Sequence, residues 1–404
     1  MRDELVLTGC GVLTAVGQGT AAMSAALLRG DHAFGVLSRP GRGDREYVGA
    51  EVPDITVPAH VPATVLRTCD VTARAALAVL GEAWEQARLS EVDPQRIGLV
   101  VGGSNVKQRE LMAVHDRVAD RKESLPPSYA VTFLDSDLSA LCSEQFGIKG
   151  MAFTVGGASA SGQLAIIEAA RLVRAGEADA CVALGALTDL SHWELRAFRR
   201  VGAMGTDRFA SDPAAACRPF DEQRDGFIFG ECCAAVVVES AASAARRGVR
   251  ADTELAGWAV VSDANRNPTP SADGQRHAIT LALQRAGVPP RRIDYVNPHG
   301  SGSRVGDPVE LEALRRSGVA DAPINATKSI VGHGLAAAGT VEVVATVLQM
   351  RAGRLHATRN LDQPLDPSRA WVTGRAPEHD VRHALTLSVG FGGINTALCL
   401  RRVS

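Results

Sequence analysis

The sequence predicts an α/β protein in which one strand–helix pattern is built twice. Three observations carry this. Apolar or β-branched runs of strand length alternate with longer amphipathic stretches along the chain. Polar, glycine-rich segments follow several of these runs, where an open α/β sheet gathers its loops. The helix that begins at Ser161-Gly162 and ends in Val173-Arg-Ala-Gly176 returns 177 residues later, from Ala338-Gly339 to Met350-Arg-Ala-Gly353. Likewise Ile97-Gly-Leu-Val-Val-Gly-Gly103 parallels Ile293-Asp-Tyr-Val-Asn-Pro-His299. Duplication of one unit explains both matches. A chain of 404 residues is long for one domain and comfortable for two. The expected halves are 1–245 and 246–404.

In order, Glu4 to Thr8 reads as a short strand, and Gly9 to Gly17 as a glycine-rich loop after it. That loop lacks the GxGxxG spacing of a dinucleotide site. Thr20 to Leu28 is an expected helix ending at Gly30, and residues 35–68 are loop-rich. Val71 to Leu89 is amphipathic, with Ala75, Ala76, Val79, Leu80 and Trp84 on its apolar side. Ile97 to Val101 suits a buried parallel strand, and residues 104–148 look mainly helical around Pro126-Pro127. Ala152 to Val155 is a strand and the helix follows from Ala160. Asp179 to Leu184 and Ala234 to Glu239 are strands, with residues 186–217 irregular between them. Residues 240–251 read as a helix and crossover. In the second half the expected strands are 255–261, 293–297, 324–329, 385–389 and 396–400, the expected helices are 274–286 and 307–317, and 332–350 reads as an elbow and helix.

Composition excludes several classes. Apolar residues make up 46% and the net charge is −2, which points to a large core and to neither nucleic acid nor a membrane surface as partner. The eight cysteines form no CxxC pair and read as reduced, buried thiols. No basic n-region precedes an apolar stretch at the N-terminus, and no run reaches the ~18 apolar residues of a membrane span. A soluble cytoplasmic protein is the expectation. No metal-ligand constellation and no redox cofactor is suggested.

The centre of the sequence is Phe153-Thr-Val-Gly-Gly-Ala-Ser-Ala-Ser-Gly162. Gly156 and Gly157 allow a tight turn, so Ser159 falls where a strand turns sharply into a helix. Such an elbow exposes one side chain and aims helix N–H groups beside it. Serine is also a favoured N-cap, and position alone favours that plainer role. Three more polar segments end apolar strands: His299-Gly-Ser-Gly-Ser303 with Gly306-Asp-Pro-Val-Glu310, Lys328-Ser-Ile-Val-Gly-His333, and Gly390-Phe-Gly-Gly393. A lone histidine is more often structural than catalytic, and Lys328 alone reads as a surface charge. Two histidines in strand-end loops with an elbow serine in a third are harder to dismiss. Neutral imidazoles donate N–H bonds to a developing oxyanion or enolate. A cation at Lys328 would bias their protonation.

These motifs, together with Arg218-Pro-Phe-Asp-Glu-Gln-Arg-Asp-Gly-Phe227, closely resemble those of the β-ketoacyl synthases of the thiolase superfamily. The resemblance spans essentially the whole chain. It implies a thiolase-like duplicated five-layer αβαβα fold, a homodimer, and no cofactor beyond the phosphopantetheine that arrives on an acyl carrier protein. Carried over, His299 and His333 stabilise the enolate formed by malonyl-thioester decarboxylation, with Lys328 supporting them. Backbone N–H groups of Ser159 and Phe391 form the oxyanion hole. Ser301, Ser303 and Gly392 contact the substrate arm.

Two departures stand out. The family's nucleophilic cysteine is Ser159 here. A thiol supplies some thiolate at neutral pH, whereas a serine hydroxyl needs a dedicated base. Condensation through an acyl-enzyme should therefore be crippled, while decarboxylation needs only an electron sink. The second departure is Gly230-Glu-Cys-Cys-Ala-Ala235, where the family usually carries more glycine. The combination resembles the Ser-for-Cys decarboxylating ketosynthase-like proteins of polyketide β-branching cassettes, which convert malonyl- to acetyl-acyl carrier protein. Malonyl-loaded carrier protein is then the expected partner. Two alternatives stay open: an acyltransferase or condensing enzyme using Ser159, and a non-catalytic, chain-length-factor-like partner of a true ketosynthase. Relatives of the latter kind usually lose the histidines as well.

Overall fold

The computed structural model describes residues 4–43, 45–120 and 124–403. Its principal elements are β1 (Leu5–Thr14), α1 (Thr20–Arg29), α2 (Val71–Gln86), β2 (Ile97–Gly102), α3 (Gln108–Val118), α4 (Ser136–Phe146), β3 (Ala152–Val155), α5 (Ser161–Arg174), β4 (Ala180–Gly185), α6 (His192–Arg200), β5 (Cys232–Ser240), β6 (Thr253–Ser262), α7 (Ala272–Ala286), β7 (Tyr295–Asn297), α8 (Gly306–Arg316), α9 (Ala338–Ala352), β8 (His383–Gly390) and β9 (Ile394–Arg402). Residues 121–123, inside the stretch expected to be mainly helical, lie outside the described residues.

The sheet path runs β7-β8-β9-β6-β1-β5-β4-β2-β3. In the first half β2 pairs in parallel with β3 and β4, while β5 is antiparallel to β4 and β1. In the second, β7 and β8 are parallel, and β9 is antiparallel to β8 and β6. Ile324 makes a single parallel bridge to Val296 of β7, standing where β3 stands beside β2. The halves meet where Val6 and Leu7 pair with Glu254 and Thr253. Helices α2 and α4 cover one outer face and α7 and α8 the other, with α5 and α9 packed together between the sheets. That is the five-layer arrangement.

The repeat is visible at residue level. Left-handed Ala158 (φ 48) and Leu335 (φ 50) each open a 3₁₀ turn, Ala158–Ala160 and Leu335–Ala337. Each turn feeds one of the central helices, and left-handed Gly176 and Gly353 (φ 74 and 59) close the pattern. Helix α9 is buried on every side from Ala338 to Met350, which explains why its sequence is mainly apolar all round. The segment Leu335–Ala352 is long and apolar enough to cross a membrane, yet it is 89% buried inside the fold.

Three expectations are corrected. Gly9 and Gly11 do not end a strand: β1 runs through both. A Cβ on Gly9 would lie 2.3 Å from the Ala83 carbonyl oxygen, and one on Gly11 1.9 Å from that of Val79. These glycines admit α2 onto the strand rather than turning the chain. Residues 324–329 form no extended strand. Asn325 and Thr327 spend their side chains on a buried network with Tyr295, Asn297, Gln349 and His356, and Lys328–Val331 then makes one helical turn. Residues 186–217 contain α6, whose N-terminus carries a full Ser191/Glu194 capping box.

Candidate active site

The elbow is built by β3, two glycines and the left-handed Ala158. The hydroxyl that braces the turn belongs to Ser161, not Ser159. Ser161 Oγ accepts from the Gly157 N–H at 2.9 Å and donates to the Ala158 carbonyl at 2.7 Å. Ser159 is left half-buried on the cavity wall, and among the described residues no hydrogen bond forms to its hydroxyl. The cap role expected from position is not taken up: no side chain caps this helix start. The Gly390–Gly393 turn sits directly on the elbow: a Cβ on Gly390 would lie 2.2 Å from the Gly157 carbonyl oxygen.

The second half supplies the histidines. The strand β7 delivers His299, whose backbone N–H donates to Glu310 Oε1 at 2.6 Å while Gly300 N–H donates to Oε2 at 2.8 Å. His333 is held by backbone bonds on both sides, donating to Ile228 O at 2.7 Å and accepting from Gly230 N–H at 3.2 Å. The two rings meet edge to face with centroids 5.2 Å apart, and Phe227 packs on His333 at the same distance.

Lys328 lies behind the histidines and does not line the cavity. It is 2% exposed. Its Nζ donates to the His299 carbonyl and to Glu342 Oε1, each at 2.5 Å, and stands 3.4 Å from His299 Nδ1. Burial pushes Glu342 and Glu310 each up to about 7, against the pull of Lys328 and, for Glu310, of its two backbone donors. Burial and then the Lys328 charge hold both imidazoles well below the usual histidine range, with His333 a further cause for His299. Both rings are therefore neutral at physiological pH. Their tautomers follow from their partners. His333 Nδ1 accepts from the Leu335 N–H at 3.2 Å, and His299 Nδ1 faces an ammonium that has only donors. In each ring the proton sits on Nε2.

These groups share one cavity of about 510 Å³, lined by Ser159, His299, His333, Phe227, Leu335, Ser301, Ser303 and Phe391. No lysine or arginine lines it among the described residues; its charged members are Glu194 and Asp263. Ser301 Oγ accepts from Ser303 N–H at 3.3 Å, and Ser303 Oγ accepts from Gly306 N–H at 3.0 Å at the start of α8. Both hydroxyls thus also brace the loop that carries His299. Gly392 does not join the group: it sits at the exposed tip of its turn and lines no part of the cavity. Among the described residues no three His, Cys, Asp or Glu side chains stand together as metal ligands would.

Glu310, Glu342 and Phe227 were assigned no role from sequence. Glu342 had a signal, being the only carboxylate in a mainly apolar helix. Glu310 lay within a recognised motif, but only the fold shows it bonded to the His299 backbone.

A duplicated five-layer α/β fold with an elbow, two buried neutral histidines and a glycine turn over the elbow defines a condensing-enzyme scaffold. Residues 2–244 match the β-ketoacyl synthase N-terminal domain and residues 253–362 its C-terminal domain, and the chain belongs to the β-ketoacyl synthase family. Within it, the chain is 51% identical over 401 residues (99% of this chain, 97% of the relative) to the polyketide biosynthesis malonyl-ACP decarboxylase PksF of Bacillus subtilis (strain 168). It is 30% identical over 416 residues to the 3-oxoacyl-(acyl-carrier-protein) synthase 2 of Coxiella burnetii, covering 100% of this chain and 99% of that one. Among solved structures, the ishigamide ketosynthase/chain length factor superposes with a TM-score of 0.89 at 28% identity, and a β-ketoacyl synthase from Burkholderia phymatum STM815 with 0.88 at 27%, each over 100% of both chains.

Proposed function

We propose that this protein decarboxylates malonyl-acyl carrier protein to acetyl-acyl carrier protein in polyketide biosynthesis, as a β-branching component. The observation that carries this is the pair of neutral Nε2–H imidazoles on a cavity whose elbow hydroxyl has no base. The malonyl Cα–carboxyl bond breaks and CO₂ leaves. The electron pair moves onto the thioester carbonyl oxygen, where His299 and His333 donate their N–H bonds to the forming enolate. A proton delivered to Cα completes the acetyl thioester. Lys328 and Glu342 hold His299 neutral and in register. Backbone N–H groups of Ser159 and Phe391, on turns that touch through Gly157 and Gly390, line the opposing oxyanion hole, and Ser301 and Ser303 face the phosphopantetheine arm.

The cavity's charges support this. A cation beside the malonyl carboxylate would stabilise the ground state that must lose CO₂. The wall offers neutral donors and two carboxylates instead, so binding rests on the carrier and its arm. The Ser159 acyltransferase alternative lacks the hydrogen-bonded base that serine catalysis requires. The partner-subunit alternative does not explain two histidines held as donors. We further propose division near residue 245, with the elbow in the first half and both histidines in the second. A homodimer through the β3 edge is also proposed, where Met151, Val131, Phe133 and Leu134 leave apolar surface exposed.

Intact-protein mass spectrometry of malonyl-loaded carrier protein tests this reading. Conversion to acetyl-carrier protein, kept by Ser159→Ala and lost by His333→Ala, is the expected result. An acyl mass on this protein with malonyl-carrier protein unchanged would assign Ser159 acyl transfer. No change in either species would assign the partner role.

A further inference from the structure

We propose that Cys232 is a positioning residue for His333, acting through its packing under the His333-Gly334-Leu335 turn. This rests on the decarboxylase reading and deepens it. Cys232 opens β5 in the stretch where the family usually carries more glycine. The residues just before it form a backbone template for the histidine: Ile228 O accepts from His333 N–H, and Gly230 N–H donates to His333 O. Two residues past Gly230, where β5 begins, the Cys232 thiol meets Gly334. A Cβ on Gly334 would lie 1.9 Å from Cys232 Sγ, so the thiol occupies the volume that a side chain at 334 would take.

The turn it supports has a specific task. Leu335 is left-handed (φ 50), a conformation a leucine keeps only where its surroundings impose it. In that conformation its N–H reaches His333 Nδ1 at 3.2 Å and fixes the ring proton on Nε2. Cys232 is 1% exposed, and burial pushes its thiol up to about 12. It stays protonated at neutral pH and acts by volume, not as a nucleophile. Emptying that volume lets the turn relax, frees Nδ1 to take the proton, and turns an acceptor nitrogen toward the oxygen that needs a donor.

Cys232→Gly should lower kcat for malonyl-carrier protein at least tenfold with KM within about twofold, since the arm and carrier contacts are untouched. The double variant Cys232→Gly/Gly334→Ala refills the space from the other side, where φ at 334 is −82 and accepts alanine, and should recover kcat to within about threefold. Histidine ¹⁵N spectra should show His333 as the Nε2–H tautomer in the unmodified protein and as a mixture in Cys232→Gly. Cys232→Ala opens a smaller void and carries the same readouts if the glycine variant does not fold. Unchanged kcat and unchanged ¹⁵N signals in the single variant, or a double variant no better than the single, would overturn the proposal. Lack of turnover in the unmodified protein would sink the decarboxylase reading but leave the tautomer comparison to decide this one.

Discussion

His299 and His333 differ from ordinary histidines in what surrounds them. Burial disfavours the imidazolium, and Lys328 adds a like charge behind them. Their folded pKa values lie below the unfolded value of about 6.5. The sign follows: the unfolded chain binds protons that the native rings refuse, so their contribution to stability is present above about pH 6.5 and is lost as the pH falls toward the folded values. A site-resolved NMR titration should therefore find both rings still neutral at pH 6, and the pH profile of kcat should lack a histidine limb near 6.5. Lys328→Met removes one cause of the depression and should move both titrations upward. Catalytically, His299→Ala or His333→Ala should cost roughly 10²–10³ in kcat, the scale of a lost oxyanion donor. Ser159→Ala should stay within a few-fold of the unmodified rate, because Ser161 already performs the local bonding.

Elements hold these residues by close approach. The strand β1 and helix α2 are so near that Gly11 has no room for a methyl group. Gly11→Ala should destabilise by about 1–3 kcal/mol, the usual cost of overpacking, or more if the strand cannot shift; urea unfolding monitored by circular dichroism measures this. The Lys328–Glu342 pair joins the short 328–331 turn to α9, both ends 2% exposed. Removing one partner strands the other charge in the core, so Glu342→Ala should cost about 3–5 kcal/mol and disturb His299 through Lys328. Arg39 and Arg42 both bind the buried Glu231, tying the 39–42 loop to the residue just before β5.

Across the whole molecule, strands from both halves bring one site together. The elbow and one wall come from the ends of β2, β3 and β4, and the histidines come from the loops after β7 and after the 328–331 turn. Among the described residues no strand pairs with the outer edge of β3, at the end of the sheet, near which Phe133 and Met151 are 49% and 52% exposed. An open apolar edge calls for a partner. Sedimentation should give about twice the 42.4 kDa chain mass, and Phe133→Glu with Leu134→Glu should shift it toward the monomer while leaving the melting transition cooperative.

The sequence by itself determined the strand–helix order, the duplication, the elbow and the strand-end segments bearing His299 and His333. Local pattern encodes all of these: strand and helix periodicities, glycine at forced turns, and a helix repeating at a fixed offset. Only the tertiary structure decided what the polar residues do. Gly9 and Gly11 looked like loop residues because a glycine needed for a turn and one needed for helix contact read alike. Ser159 looked like a cap because position at a strand-to-helix turn does not show where the hydroxyl is aimed, and no side chain caps this helix start. Lys328 looked like a surface charge because its partner, Glu342, and the ring it faces, His299, reach it only through packing of the chain's second half. The tautomers of both histidines, and with them the chemistry, are set by Leu335 N–H and Lys328 Nζ, contacts made by turns whose direction no local pattern specifies.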